Sequence, residues 1–204
     1  MVEVSRQFRE AHPGVDVRIS YGSSGNFYSQ ISSGAPFDLF LSADTAYPRR
    51  LRAQGVFLYA AGRLVVWAPA ASSLDPATAL GSAAVRRIAI ANPQHAPYGR
   101  AAEAALRTMG LMPGVEKKLV IGENVTQAFQ FVQSGAADVG LVARSLAIRG
   151  QGRYWEVPLD AYPRLDQGGV ILTDSPAARE FRDFLLSATG RRILGEYGFF
   201  PPGK

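Results

Sequence analysis

No cysteine occurs in the 204 residues. Disulfides, thiol nucleophiles and Cys-ligated zinc or iron–sulfur sites are thereby excluded, while the redox compartment stays open. Histidine is scarce, with only His12 and His95. His12 sits in a polar turn beside Pro13 and reads as a solvated surface residue. His95 falls in a turn after an apolar run. Neither has a second histidine near it in sequence, so a metal site or an acid–base pair has little support. Lysine occurs only at 117, 118 and 204, so the net charge of +5 rests on arginine. The arginines come as short pairs, Arg49-Arg50, Arg86-Arg87 and Arg191-Arg192. They read as a solvated surface that mildly favours anions. No basic stripe interleaved with aromatics appears, so nucleic acid is not an expected partner. No apolar run approaches the ~20 residues that span a bilayer. Met1 to Ala11 carries no apolar leader segment. Catalytic motifs fail as well. Gly22-Ser23-Ser24-Gly25-Asn26 is not a nucleophile elbow, because Asn26 stands where a second glycine is required. There is no P-loop, and in Gly150-Gln151-Gly152 the third fingerprint glycine is replaced by Trp155.

What is present is a folding pattern. Hydrophobic residues make up 47% and charged residues 19%, the balance of a chain with a buried core. Val2, Val4, Phe8 and Ala11 mark a helix over 2–11 that begins without a cap. The turn His12-Pro13-Gly14 leads to an alternating stretch, 15–21, read as a strand. A helix from Phe27 ends at Gly34-Ala35-Pro36. Asp38 to Ser42 is a short apolar strand of the buried parallel kind. A helix follows Asp44-Thr45, includes Leu51 and breaks at Gly55. Leu64 to Pro69 is another strand, and 70–84 a loop with a short helix. The strand–helix pattern restarts at Arg87. Strands are expected at 87–91, 118–121 and 138–142. Helices are marked by Ala102, Ala105, Leu106 and Met109, and by Val125, Ala128, Phe129 and Val132. Tyr154 to Pro158 is extended, and Val170 to Thr173 is a strand. Asp174-Ser175-Pro176 then starts a long helix through Phe181, Phe184, Leu185 and Ala188. The alternation gives an α/β class with mainly parallel strands. The interruption between Pro69 and Arg87 suggests two lobes, with 64–69 and 168–173 as crossovers.

The turn Tyr21-Gly22-Ser23-Ser24-Gly25-Asn26-Phe27 organises the rest. It carries the chain from an expected strand into a helix, where unpaired N–H groups and the positive end of the helix dipole converge. Gly22 and Gly25 permit close approach, and Ser23 and Ser24 add hydroxyls. Taken alone, Ser24 or Asn26 is an ordinary helix cap. Similar turns follow the other strands, at Asp44, at Ala96-Pro97-Tyr98, at Asn124-Val125-Thr126 and at Ala143-Arg144-Ser145. Asp44 itself reads first as a cap of the next helix. Two lobes presenting these turns to one cleft would surround a small oxyanion with amides and hydroxyls.

Four segments carry a family resemblance. The first runs Tyr21-Gly-Ser-Ser-Gly-Asn-Phe-Tyr-Ser-Gln-Ile and on through Ser33-Gly-Ala-Pro-Phe-Asp-Leu-Phe-Leu-Ser-Ala-Asp44. The second is Ala91-Asn-Pro-Gln-His-Ala-Pro-Tyr-Gly-Arg-Ala-Ala. The third is Gly122-Glu-Asn-Val-Thr-Gln-Ala with Gly135-Ala-Ala-Asp-Val-Gly-Leu-Val142. The fourth is the tail from Phe181 to Phe199. In these the chain resembles the molybdate-binding periplasmic proteins of ABC transporters. The Gly-Ala-Pro-x-Asp-Leu-Phe-x-Ser-Ala-Asp string is the most specific part.

The resemblance implies a two-lobed type II periplasmic-binding-protein-like fold, with each lobe a mainly parallel sheet flanked by helices and a cleft between lobes. Lobe 1 would comprise 1–66 with 169–204, and lobe 2 67–168. It implies capture of molybdate, and usually tungstate, for delivery to a membrane permease. The expected protein is a periplasmic monomer without enzymatic activity or cofactor. Ser24 matches the family's serine ligand, and Val125 a backbone N–H ligand at a helix start. The position of Tyr98 supplies a backbone amide in some members and is tyrosine in others. Molybdenum is thus met as its oxyanion through Ser24, Tyr98 and Val125, with Ser23 beside them. Ala143 stands where many members have a ligand tyrosine, and the Tyr98 hydroxyl is the expected replacement. The family also begins with a strand, and a turn bearing a further serine or threonine ligand, ahead of the helix in which this chain starts. The resemblance therefore implies that strand, that ligand and a signal peptide as missing. Alternatives on the same fold are the ligand-sensing domain of a regulator and a binder of sulfate or phosphate. An enzyme is disfavoured by the failed motifs above.

Overall fold

The computed structural model describes residues 1–51 and 55–203. The chain divides into two compact units, Met1–Ala61 with Asp166–Lys204, and Gly62–Leu165. The expected boundaries at 66/67 and 168/169 lie a few residues later in each case. In chain order the first elements are α1 (Val2–Ala11), α2 (Ser24–Ser32), β1 (Leu39–Ser42), α3 (Ala46–Arg50), β2 (Phe57–Gly62) and β3 (Leu64–Pro69). Next come β4 (Ile88–Ala91), α4 (Pro97–Thr108), α5 (Met112–Val115), β5 (Leu119–Gly122) and α6 (Val125–Gln133). The last are β6 (Val139–Ala143), α7 (Arg144–Ala147), β7 (Gly152–Glu156), β8 (Leu165–Ile171), α8 (Pro176–Leu186) and α9 (Ala188–Glu196). The helix expected to reach Gly55 is α3, which ends at Arg50; residues 52–54 lie outside the described residues.

In the first unit a three-stranded sheet has the order β1-β8-β2. β1 runs antiparallel to β8, with Leu39 opposite Ile171 and Ser42 opposite Gly168. A Cβ on Gly169 would sit 2.4 Å from the Phe57 ring, so the ring packs directly over the strand backbone. Helices α1, α8 and α9 enclose a core with Val4, Phe8, Tyr59, Leu185 and Ile193. Phe8 is fully buried and meets the edge of Phe181 at 5.0 Å. His12 is half-buried rather than solvated. Its ring stacks on Phe8 at 4.2 Å, and its Nδ1 lies 3.0 Å from the Phe8 carbonyl, tying off the end of α1. Two further expectations are corrected. The 15–21 stretch forms no strand, because among the described residues it pairs with no neighbouring segment. The long C-terminal helix is two helices. Ser187 breaks it, accepting the Gly190 N–H at 3.2 Å as the cap of α9, so Ala188 belongs to the second helix.

In the second unit a five-stranded sheet has the order β5-β4-β6-β3-β7. β4 is parallel to β5 and β6, while β3 is antiparallel to β6 and β7. Both sheets are therefore not mainly parallel: the second is mixed and β1–β8 in the first is antiparallel. A parallel return needs a crossover of a dozen residues or more. α4 and α6 belong to such crossovers. β6 and β7 also share one direction, on either side of β3, and the reversed strand is β3 itself. α6 covers one face of the sheet, packing Ala128, Phe129 and Val132 on Val65, Trp67, Ala89 and Val142. The Trp67 and Phe129 rings lie 4.6 Å apart. Right-handed crossovers in opposite directions from β4 place α4 on the other face. Among the described residues no helix is long and apolar enough to cross a membrane.

Candidate functional site

The organising turn ends in α2, and its construction is specific. The cap is Ser23, not Ser24 or Asn26. Its backbone is extended, and its hydroxyl oxygen accepts the Asn26 N–H at 3.3 Å. The Ser24 and Gly25 N–H groups of the first turn then have no intrahelical acceptor. Ser24, 7% exposed, accepts the Ala43 N–H at 3.1 Å through its Oγ, which fixes the start of α2 against the end of β1. The accepted bond leaves the hydroxyl proton as a donor. No acidic residue occupies the first turn, so the positive helix end is uncompensated there.

The loop after β1 is held by its own carboxylate. Asp44 Oδ1 accepts from the Ser42 hydroxyl at 3.0 Å and from the Tyr47 N–H at 3.2 Å. Asp44 therefore serves the start of α3, as its capping reading expected.

The second unit repeats the α2 arrangement at α6. Asn124 is extended and accepts the Gln127 N–H at 3.0 Å. Gln127 reaches back to accept the Glu123 N–H at 2.6 Å. This cap leaves the N–H groups of Val125 and Thr126 as the first-turn donors without an intrahelical acceptor. α6 again carries no acid there. At α4 the details differ. Ala96 gives no side-chain cap and Pro97 has no N–H. The Gly99 and Arg100 N–H groups turn back to the Ala96 carbonyl at 3.0 and 3.1 Å. Tyr98, at the second helical position, is 5% exposed.

Because β4, β5 and β6 run in the same direction, the turns after them emerge at one end of the sheet. Tyr98, Val125 and Ala143 lie in those turns. Glycines permit the approach: a Cβ on Gly99 would fall 2.3 Å from the Ala91 carbonyl oxygen, and one on Gly122 2.8 Å from the Ala128 nitrogen. Ala143 offers no side-chain hydrogen bond. It is buried, paired with Leu64, and followed by a helix of four residues. Of the five expected residues, then, three share one end of the second unit's sheet, and Ser23 and Ser24 share the start of α2 in the first unit.

The opposite end of that sheet is pinned by Asp138. Its Oδ2 accepts the N–H groups of Arg86 and Arg87, each at 2.8 Å. Burial works to raise its pKa, but the two N–H donors and the arginine charges outweigh it and hold the carboxyl below its ordinary value. The Tyr162 hydroxyl, which accepts the Leu64 N–H at 3.1 Å, is pushed up by burial. Gln127 was not singled out from the sequence, and the turn residues Gly25 and Thr126 were not assigned as donors. The first was legible in the Asn-x-x-Gln spacing of a capping box; the other two follow once the cap is placed.

A family model of bacterial extracellular solute-binding proteins matches residues 1–200. The "Molybdate-binding protein ModA" of Azotobacter vinelandii is 39% identical over 213 residues, covering 98% of this chain and 84% of the relative. That of Rhodobacter capsulatus is 37% identical, covering 97% and 82%. Among solved structures, the Azotobacter vinelandii periplasmic molybdate-binding protein superposes with a TM-score of 0.90 at 32% identity, over 99% of this chain and 94% of that one.

Proposed function

The chain belongs to the bacterial extracellular solute-binding proteins, and we propose that its solute is a tetrahedral oxyanion, molybdate, taken up through an ABC transporter. Tungstate, of the same shape and charge, is bound as well. The observation that carries the reading is the repeated construction of α2 and α6. In each, a side-chain cap takes the third N–H of the helix and leaves the first two for another acceptor. Ser24 donates its hydroxyl and the α2 amides, with Ser23 holding that turn in place. Val125 donates its N–H, and Tyr98 donates from the start of α4. Ala143 contributes backbone shape only.

The chemistry suits a fully deprotonated dianion, which presents acceptors alone. A protonated phosphate needs an acceptor for its own O–H, and the nearby carboxylate, Asp44, already accepts from Ser42 and Tyr47. The charge is met by amides and helix ends and not by a buried counter-charge. No bond is made or broken: the protein binds without a cofactor and releases its solute to a membrane permease from the periplasm, acting as a monomer.

Thermal unfolding with molybdate, tungstate, sulfate and phosphate tests the reading. At a hundred times the dissociation constant, a ligand stabilises by about 2.7 kcal/mol, roughly 5–10 °C for a chain of this size. Molybdate and tungstate are expected to give that shift at concentrations where sulfate and phosphate do not. Equal shifts from all four, or none from molybdate, would overturn it.

A further inference from the structure

The buried polar side chains among the described residues are Ser5, Ser23, Ser24, Ser42 and Gln167. A polar group in a core costs stability unless its hydrogen bonds are made, so where these bonds lead is informative. Ser24 and Gln167, with the buried hydroxyl of Tyr59, are linked through one peptide group, the one that joins Ser42 to Ala43. Its N–H donates to Ser24 Oγ at 3.1 Å. Its carbonyl oxygen accepts from the Tyr59 hydroxyl at 3.3 Å. The same hydroxyl lies 3.0 Å from Gln167 Oε1, so its one proton is shared between two acceptors. Tyr59 comes from β2, which β8 separates from β1 in the sheet. Its ring lies in an apolar cluster with Phe8, Phe181 and Leu185. A phenylalanine would fill that space, so packing does not call for the hydroxyl. What the hydroxyl adds is a bond across the sheet to the end of β1. The loop beyond Ser42 also lies against the backbone of β8. The Gly168 N–H donates to the Asp44 carbonyl at 3.2 Å, and a Cβ on Gly168 would fall 3.1 Å from that oxygen.

We infer that Tyr59 is a positioning residue for the Ser24 hydroxyl, acting through the Ser42–Ala43 peptide, an inference that rests on Ser24 donating to a bound oxyanion. A peptide group is planar, and its C=O and N–H point in opposite directions. Fixing the carbonyl from the Tyr59 side therefore fixes the aim of the N–H on the other side. That N–H occupies Ser24 Oγ as acceptor and leaves the serine proton to be donated at the start of α2. The bonds also run head to tail. Tyr59 O–H donates to the Ser42 carbonyl, Ala43 N–H to Ser24 Oγ, and Ser24 O–H to the anion. Such a chain polarises each member in the same sense. Losing the first link loosens the peptide and weakens the last donor. Asp44 braces the same loop differently, through its contacts with the Ser42 hydroxyl and the Tyr47 N–H. Tyr59 bears on the peptide itself.

The test compares Tyr59→Phe, Ser24→Ala and the double variant with the unmodified chain. Calorimetry gives molybdate affinity, and NMR gives amide exchange at Ala43 without ligand. Tyr162→Phe, which removes a buried hydroxyl bonded to the Leu64 N–H in the second unit, is the control for a general loss of stability. Tyr59→Phe is expected to speed exchange at Ala43 by about tenfold more than Tyr162→Phe does. It should weaken molybdate binding by roughly three- to tenfold. With Ser24 already alanine, the same change should cost less than about twofold, because the two residues act in series. Exchange at Ala43 that rises no more than in the control would overturn the inference. So would an equal loss of affinity in both backgrounds, or no loss in either. A chain that binds no molybdate overturns the oxyanion reading, and exchange alone then decides whether Tyr59 holds the contact between Ala43 and Ser24.

Discussion

Replacing Ser24 with alanine separates the two tasks given to its hydroxyl. The first is structural. Its Oγ accepts the Ala43 N–H at 3.1 Å in a place where Ser24 is 7% exposed. Removing the acceptor leaves that N–H unsatisfied and costs about 1–2 kcal/mol of stability, roughly 2–8 °C in Tm. The second task is donation to the bound anion. A hydrogen bond to a charged group contributes about 1.5–3 kcal/mol, so its loss weakens binding by roughly 10- to 150-fold. Ser23→Ala is the internal control. It removes the cap on the Asn26 N–H in the same turn and costs about 1 kcal/mol of stability. Because Ser23 acts through the turn, its effect on affinity should stay within a few-fold. Calorimetric titration with molybdate gives the affinities, and urea unfolding without ligand gives the stabilities. If both variants lost stability alike and Ser24→Ala kept its affinity within twofold, the assignment of Ser24 as a ligand would be wrong. If Ser23→Ala lost the larger share of affinity, the roles would be reversed.

Three other outcomes are expected. Asn124→Ala removes the cap that takes the Gln127 N–H, lowering stability by about 1 kcal/mol; molybdate affinity should fall with it, and an unchanged affinity would detach the α6 start from the anion. Tyr98→Phe, titrated with molybdate, should weaken binding by roughly tenfold if the hydroxyl replaces the side chain that Ala143 lacks, and full retention would leave only the Tyr98 amide in that role. Asp138→Asn removes a carboxylate held below its ordinary pKa of 3.8 by two backbone donors. A depressed carboxyl stabilises above its unfolded pKa and loses that contribution as pH falls through the folded one. Urea unfolding should show a gap of about 1–2 kcal/mol at pH 7 and at pH 5 that narrows as pH falls below 3.8; a gap that does not narrow in acid would refute the ionic origin.

Periodicity made the regular helices legible. α1 over Val2–Ala11 and the apolar faces of α4 and α6 follow directly from spacing. β2 did not show, because Phe57-Leu58-Tyr59-Ala60-Ala61 does not alternate apolar with polar, and the sign of its packing, Phe57 over Gly169, lies more than a hundred residues away. The 15–21 stretch erred in the opposite direction. It alternates as a strand should, but a strand is a property of two segments, and among the described residues no second one reaches it. The same reasoning covers the sheet directions. Alternating helices and strands argue for parallel pairing, and β4, β5 and β6 obey it; β3 does not, because it lies antiparallel between β6 and β7, strands far from it along the chain.

The candidate site was legible at the level of turns and illegible at the level of atoms. Serine, asparagine and glycine before a helix say that a cap exists, since each oxygen competes for the same first-turn donors. They do not say which residue takes the cap, and that choice decides the function. Had Ser24 been the cap, its oxygen would have faced the helix's own N–H and the open donors would have shifted one residue along the chain. With Ser23 in that place, Ser24 becomes the first helical residue, its Oγ is held by Ala43 from 19 residues downstream, and its proton is left for donation. The same one-residue question at α6 is answered locally. Asn124 takes the Gln127 N–H and the Gln127 side chain takes the Glu123 N–H, which fixes Val125 as the first open donor without any tertiary contact. One helix start is therefore specified by its own sequence and the other by the loop after β1. The second kind is sensitive to changes far from the turn. A substitution that moves the Ala43 loop, such as loss of the Asp44 carboxylate that anchors it to Ser42 and Tyr47, should act on Ser24 without touching it.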